Sequence, residues 1–119
     1  MSVDAFVSKL TSTPDEIEFS ETMALIDSHF DYTPSRFTNG AGDSQAVNEA
    51  GTNEGSCKIF ALGQLLQLTE AQTLNCFGDY YRVDVLQYPD GSDHANIRNF
   101  MVHGWGGIVF DNAALQAKG

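Results

Sequence analysis

A chain of 119 residues has the length of one domain, and its 42% apolar content, with eight Phe and four Tyr, predicts a folded core rather than a disordered polypeptide. Lys and Arg number 6 against 16 Asp and Glu, so the net charge is −10. A field of this sign repels phosphate backbones and anionic lipid headgroups, which argues against nucleic acid and against a membrane surface as partners.

The first quarter of the chain is predicted to form two helices. One side of a short first helix, over residues 3–10, carries the apolar residues Val3, Phe6, Val7 and Leu10. The segment TPDE then supplies Thr13 as a cap, Pro14 at the first helical position and Glu16 to close a capping box. We therefore expect a second helix from Thr13 to about Phe30.

An extended segment and a polar connection follow these helices. Pro34 favours extended backbone before it, and we interpret residues 31–38 as extended, with room for one strand. Asn39-Gly40 is a strong turn signal. Residues 39–55 are polar and hold four glycines, and an open connection of this length is typically functional or mobile.

The second half of the chain is predicted to be mainly helical. Residues 56–68 are apolar on nearly every side, which is typical of a central helix. Thr69 and Gln72 form a capping box for a helix that is expected to end near Tyr88. Asp93 is the expected cap of a further helix, which the glycines of GWGG end. The apolar segment IVF, residues 108–110, is a short strand candidate for pairing with part of 32–38.

These elements predict one domain over residues 1–119 that is mainly α, in the α+β class. We expect a compact unit of about four to five helices with at most a small two-stranded β element. The two cysteines, Cys57 and Cys76, have apolar neighbours, which is typical of reduced thiols rather than of a disulfide framework. The N-terminus MSVDAFVSKL lacks the pattern of a secretory signal, so a cytoplasmic protein is expected.

Four stretches of the sequence resemble the HopJ-type type III effector family. They are FDYTPSRFTNG, NEAGTNEGSCKIF, TLNCFGDYYRVDVLQYPDGSDHANIRNFM and HGWGGIVF, which together extend from about Phe30 to Phe110. The resemblance implies a protein that bacteria export into host cells by type III secretion. It implies no enzymatic activity and no catalytic residues, since none is agreed for the family. The apolar side of residues 3–10 favours an ordinary helix over an unstructured export signal.

Cys57 is the candidate nucleophile of the sequence. A thiol in the first turn of a helix faces the positive end of the macrodipole and ionises more readily. A cysteine-dependent hydrolase or transferase would also need His94 or His103 as the base and an asparagine as the orienting group; the candidates are Asn96, Asn99 and Asn112. The alternative is that Cys57 belongs to the core, because it shares an apolar stripe with Phe60 and its neighbours. We favour the core interpretation.

The sequence supports no metal site and no cofactor site. On one helix, His94 and His103 are nine residues apart and point to opposite sides, so they cannot share an ion. The spacing of Gly51, Gly55 and Lys58 does not match a phosphate-binding loop. An ion pair between Asp84 and Arg98 is expected to be structural.

We expect the function to be protein binding, by an acidic domain of unknown biochemical activity. Residues 1–54 carry 10 acidic and 2 basic groups, and they include most of the polar connection. An exposed Trp105 between glycines is a candidate hot spot, although it could instead cover one end of the core. The predicted binding residues are Asn39, Gly40, Asn53, Gly55, Ser56 and Trp105.

Overall fold

The structure is a computed structural model that describes residues 1–118. Within this described part of the chain, six α-helices pack around one hydrophobic core, and five short strands form two separate antiparallel sheets. The helices are α1 Val3–Ser12, α2 Phe19–His29, α3 Glu54–Leu66, α4 Glu70–Asn75, α5 Asp79–Arg82 and α6 Ala95–His103. The strands are β1 Phe30–Tyr32, β2 Phe37–Asn39, β3 Ala46–Asn48, β4 Val109–Phe110 and β5 Leu115–Ala117. No helix within residues 1–118 is long and apolar enough to cross a membrane.

The predicted α+β class is confirmed, and α3 is the central helix. Phe60 of α3 is fully buried and contacts four aromatic rings, those of Phe37, Phe77, Phe100 and Trp105. Its neighbours Ile59 and Leu62 are also fully buried. Leu65 is half exposed, so one side of α3 faces solvent and the helix is not buried on every side.

The β part extends beyond the predicted two-stranded element. The expected pairing is present, because Phe37 and Thr38 of β2 lie opposite Phe110 and Val109 of β4. The other side of β2 pairs with β3, which makes a three-stranded sheet in the order β3-β2-β4. A second sheet forms because β5 returns the chain alongside β1. Strands of two or three residues carry too little alternation to be recognised from sequence.

The predicted helix from Thr13 to Phe30 is broken near its start. Pro14–Glu16 form a 3-10 turn, Ile17 is extended and fully buried, and α2 begins at Phe19. The cause is a distant residue, since the Arg82 guanidinium donates to the backbone carbonyl of Ile17 and, at 3.1 Å, to that of Pro14. The carbonyls that would continue a helix are therefore bound by a side chain from α5.

The predicted helix from Thr69 to Tyr88 is also interrupted. Its capping box is confirmed, with Thr69 Oγ1 accepting from the Gln72 amide at 3.1 Å. The helix then ends because Gly78 adopts a φ of +62°, and a Cβ at that position would lie 2.6 Å from the Phe19 backbone nitrogen. Only glycine allows this approach of α5 to the start of α2.

The polar connection of residues 39–55 is more ordered than expected. Asn39 belongs to β2 and is fully buried, so the prediction that it begins an open loop is wrong. Gly40 makes the predicted turn with a φ of +103°, and its amide donates to the Gly107 carbonyl at 3.1 Å. A 3-10 turn at Gly42–Ser44 leads into β3, because the sheet offers β2 as a pairing partner.

Candidate functional site

A cavity of about 570 Å³ lies where the N-termini of α3 and α6 meet. We call it the amide cavity. Its walls come from α2, the β3 strand, the start of α3, α5 and the start of α6, and its lining residues are Phe19, Ala46, Val47, Asn48, Asn53, Gly55, Ser56, Phe77, Tyr80, His94, Ala95, Asn96 and Ile97. A volume of this size accommodates a small molecule or a few side chains of a partner.

Both helices begin at the cavity with the same unusual geometry. Asn53 precedes α3 with φ 49° and ψ 48°, and His94 precedes α6 with φ 52° and ψ 50°. Neither side chain accepts a hydrogen bond from the helix that follows it. The first amides of a helix lack intrahelical acceptors and carry a positive partial charge, so the cavity wall offers two sets of hydrogen-bond donors.

A cluster of buried asparagines holds these two helix starts together. Asn48 and Asn96 are 2% and 7% exposed. Asn48 Oδ1 accepts from Asn53 Nδ2 at 2.7 Å and from Asn96 Nδ2 at 2.9 Å. Asn96 Oδ1 accepts in return from Asn48 and from Asn39, each at 3.1 Å. One carboxamide on β3 therefore fixes the distance between the N-termini of α3 and α6.

Aromatic rings and acidic groups lie beside the amide cavity. Phe19 and Tyr80 pack edge to face with ring centroids 5.0 Å apart, and both also line an adjoining hollow of about 360 Å³. We call it the acidic hollow, and its lining residues are Glu18, Phe19, Ser20, Asp79, Tyr80 and Asp84. The two spaces share the aromatic pair, which separates a donor-rich region from an acidic one.

His94 stands between the two spaces. Its ring lies 5.4 Å from the Tyr80 ring, and Nε2 is 3.1 Å from Asp84 Oδ2 and 3.8 Å from Asp93 Oδ2. The prediction of an ion pair between Asp84 and Arg98 is wrong. Arg98 instead binds Asp93 at 2.7 Å, and this hydrogen bond holds the pKa of Asp93 below its usual range. The Asp93 side chain thus binds Arg98 and does not cap α6. The N-cap position predicted for Asp93 is held by His94.

Only some of the predicted site residues lie at the amide cavity. Asn53, Gly55, Ser56 and His94 all line the amide cavity. Asn39 lies behind its wall, bonded to Asn96, and Gly40 packs against Gly107. His103 is at the far end of α6, where Nε2 is 3.2 Å from Ser44 Oγ. His94 and His103 are thus separated by the whole of α6.

Trp105 is placed as a cover for the core. Its Nε1 donates to the Leu68 carbonyl at 3.1 Å, and its ring packs edge to face on Phe100 at 4.9 Å. It also lies against Gly63, where a Cβ would be 2.6 Å from the indole. Gly63 therefore allows the indole to pack closely on α3.

Cys57 lies in the core and not in the cavity. It is 1% exposed, its thiol points to the Ser35 carbonyl at 3.8 Å, and burial raises the pKa of the thiol. Cys76 is fully buried as well, and burial raises its pKa to about 12. The macrodipole effect expected at Cys57 is thus outweighed by desolvation. Within residues 1–118, no group of three His, Cys, Asp or Glu side chains is arranged to hold a metal ion.

The comparisons with known proteins agree with this description of the fold. The sequence profile of the HopJ type III effector protein family matches residues 3–115. The chain belongs to the HopJ type III effector family. The crystal structure of a protein of unknown function, VPA0580, superposes with a TM-score of 0.94 at 52% identity, covering 99% of this chain and 95% of that one. This HopJ chain matches no curated protein.

Sequence reasoning did not single out Asn48 or Tyr80, and it named Asn96 only as a candidate orienting group for Cys57. All three line the cavity, and Tyr80 is 45% exposed. The only available signal was the repetition of asparagine in the HopJ segments, at positions that become neighbours through the β2-β3 hairpin and α6.

We predict that both native thiols react slowly with iodoacetamide at pH 7. Burial raises the pKa of both thiols above the ~8.5 of a free cysteine, so little of either is thiolate at pH 7. Burial also keeps the reagent away from the sulfur atoms. The Ser56→Cys variant is the matched control, because its thiol would line the cavity one residue earlier and should react about tenfold faster or more. Rapid modification of Cys57 at pH 6 in the folded protein would contradict the core assignment.

We also predict that Asn48→Ala lowers the free energy of unfolding by about 1–3 kcal/mol, because it leaves the buried amide of Asn96 and the more exposed amide of Asn53 without their acceptor. Urea denaturation measures the change. Asn112→Ala, on an exposed side chain with a single 3.5 Å bond, should change stability by less than about 0.5 kcal/mol. An equal loss of unfolding free energy in the two variants would contradict a stabilising role for the asparagine cluster.

Proposed function

We propose that this HopJ family member is an acidic protein-binding domain whose docking site is the amide cavity together with the acidic hollow. The observation that carries the proposal is the convergence of two helix N-termini, without side-chain caps, on one cavity with an aromatic wall. Such a wall provides donors for the carbonyl oxygens of a bound segment and apolar surface for its side chains.

The surface around the cavity is suited to protein contact. Val47 is 51% exposed on β3, Tyr80 extends from α5, and both lie on the cavity lining. Tyrosine beside aliphatic surface is typical of interface hot spots. The net charge of −10 favours a basic partner and disfavours nucleic acid. No cofactor or metal is part of the proposal.

The alternative, a cysteine-dependent hydrolase or transferase, has less support. It requires an exposed Cys57 thiolate near an imidazole, whereas the thiol is enclosed and its pKa is raised. The neighbours that influence the Cys57 thiol are Ser35, Tyr32, Glu54 and Lys58, with no histidine among them. Binding therefore accounts for the geometry better than catalysis does.

We predict that a photo-crosslinking residue placed at Val47 captures a partner from a host-cell lysate, whereas the same residue at Val102 does not. Both positions are more than half exposed, but only Val47 lines the cavity. Capture should be lost in Ala95→Trp, which fills the cavity from an exposed position, and kept in Ala71→Trp, at an alanine on α4 that is also exposed. Equal crosslinking of a partner from Val47 and Val102, or crosslinking from Val47 that persists in Ala95→Trp, would contradict the proposal.

We further propose that the protein is made in the bacterial cytoplasm and exported to a host cell by type III secretion, as its family membership suggests. A reporter fused to residues 1–30 should then reach host cells only when the secretion apparatus is intact. In the folded protein these residues include α1 and α2, with Phe6 and Leu10 in the core. Translocation that also occurs without the apparatus, or none at all, would contradict export.

A further inference from the structure

The groove between the amide cavity and the acidic hollow has walls of opposite chemical character. Its aromatic centre is the Phe19–Tyr80 pair, and the Tyr80 ring also contacts the His94 ring at 5.4 Å with an interplanar angle of 47°. Beyond the rings lie the carboxylates of Glu18, Asp79 and Asp84. The groove is thus a partly apolar channel that ends in negative charge.

The carboxylates at this end keep free oxygens for a ligand, although the Glu18 side chain also accepts from the Glu21 backbone amide in the capping box of α2. Within residues 1–118, neither Glu18 nor Asp79 takes part in an ion pair, and His94 contacts only Oδ2 of Asp84. The neighbouring Glu21, by contrast, forms a 2.9 Å ion pair with Lys9. The hollow therefore carries uncompensated negative charge next to exposed aromatic surface.

We infer that this groove binds an arginine side chain presented by the protein partner. The inference rests on the proposed function and names the chemistry of its occupant. A planar guanidinium stacks on aromatic faces and donates in a fork to carboxylates, whereas the compact lysine ammonium is more strongly hydrated and stacks less well. The aliphatic stem of the arginine packs along Phe19 and Tyr80, and the guanidinium ends between Asp79 and Glu18.

The charge balance of the whole chain supports the same occupant. A protein of net charge −10 attracts cationic groups over long range, and the hollow concentrates that charge between apolar walls. The main-chain carbonyls that flank such an arginine in the partner would face the donors at the starts of α3 and α6. One bound segment can in this way satisfy both ends of the groove.

The test titrates the ¹⁵N-labelled full chain with N-acetyl-arginine amide and follows backbone amide shifts. The largest shifts are expected at residues 18–20 and 79–84, with N-acetyl-citrulline amide, which has the same shape without the charge, binding at least about tenfold more weakly. N-acetyl-lysine amide should bind more weakly than the arginine probe. Equal binding of arginine and citrulline, or shifts centred elsewhere, would overturn the inference.

Two matched variants make the assignment specific. Asp79→Asn should weaken arginine binding about fivefold, whereas Asp90→Asn removes one exposed charge outside the hollow and should leave it nearly unchanged. Equal weakening by both variants would mean that net charge alone attracts the probe, which overturns the site. If the arginine probe fails while crosslinking at Val47 succeeds, this inference falls and the proposed function stands. If crosslinking fails, the proposed function falls whatever the probe does.

Discussion

A single carboxamide oxygen organises the region on which the proposed function depends. Asn48 Oδ1 accepts hydrogen bonds from the residue that precedes α3 and from the first turn of α6. Both helices start with an αL residue instead of a self-capping side chain, so their first amides remain available toward the cavity. An Asx side chain at either start would normally bond its own helix. Here Asn53 gives its amide group to Asn48 and leaves its helix uncapped.

The core and the site are linked through α3 and α6. Phe60 in the middle of α3 and Phe100 in the middle of α6 pack with ring centroids 4.9 Å apart. This contact fixes the two helix axes, and the asparagine cluster fixes their N-termini. Apolar packing thus sets the position of the site, whereas hydrogen bonds set its detailed geometry. A cavity whose walls are held by both kinds of contact would reduce the ordering cost of the proposed binding.

Sequence reasoning identified the elements that depend on local signals. The central helix over 56–68, the Thr69–Gln72 capping box and the pairing of 108–110 with 32–38 are all confirmed. Five residues of the cavity were already singled out as candidates, namely Asn53, Gly55, Ser56, His94 and Asn96. What failed depended on distant partners: Arg82 ends the helix predicted from Thr13 by binding carbonyls about 65 residues away in sequence. Single-sequence periodicity contains no information about such contacts.

The opposite charges at the two ends of the groove give it a direction. Helix starts present partial positive charge at the amide cavity, and unpaired carboxylates present negative charge at the acidic hollow, with the Phe19–Tyr80 pair between them. A segment that enters in reverse would place carbonyl oxygens against carboxylates and a guanidinium against helix N-termini, and both contacts are repulsive. In the proposed binding mode, the same few residues that would attract a basic segment would also select its orientation, which a uniformly acidic surface could not do.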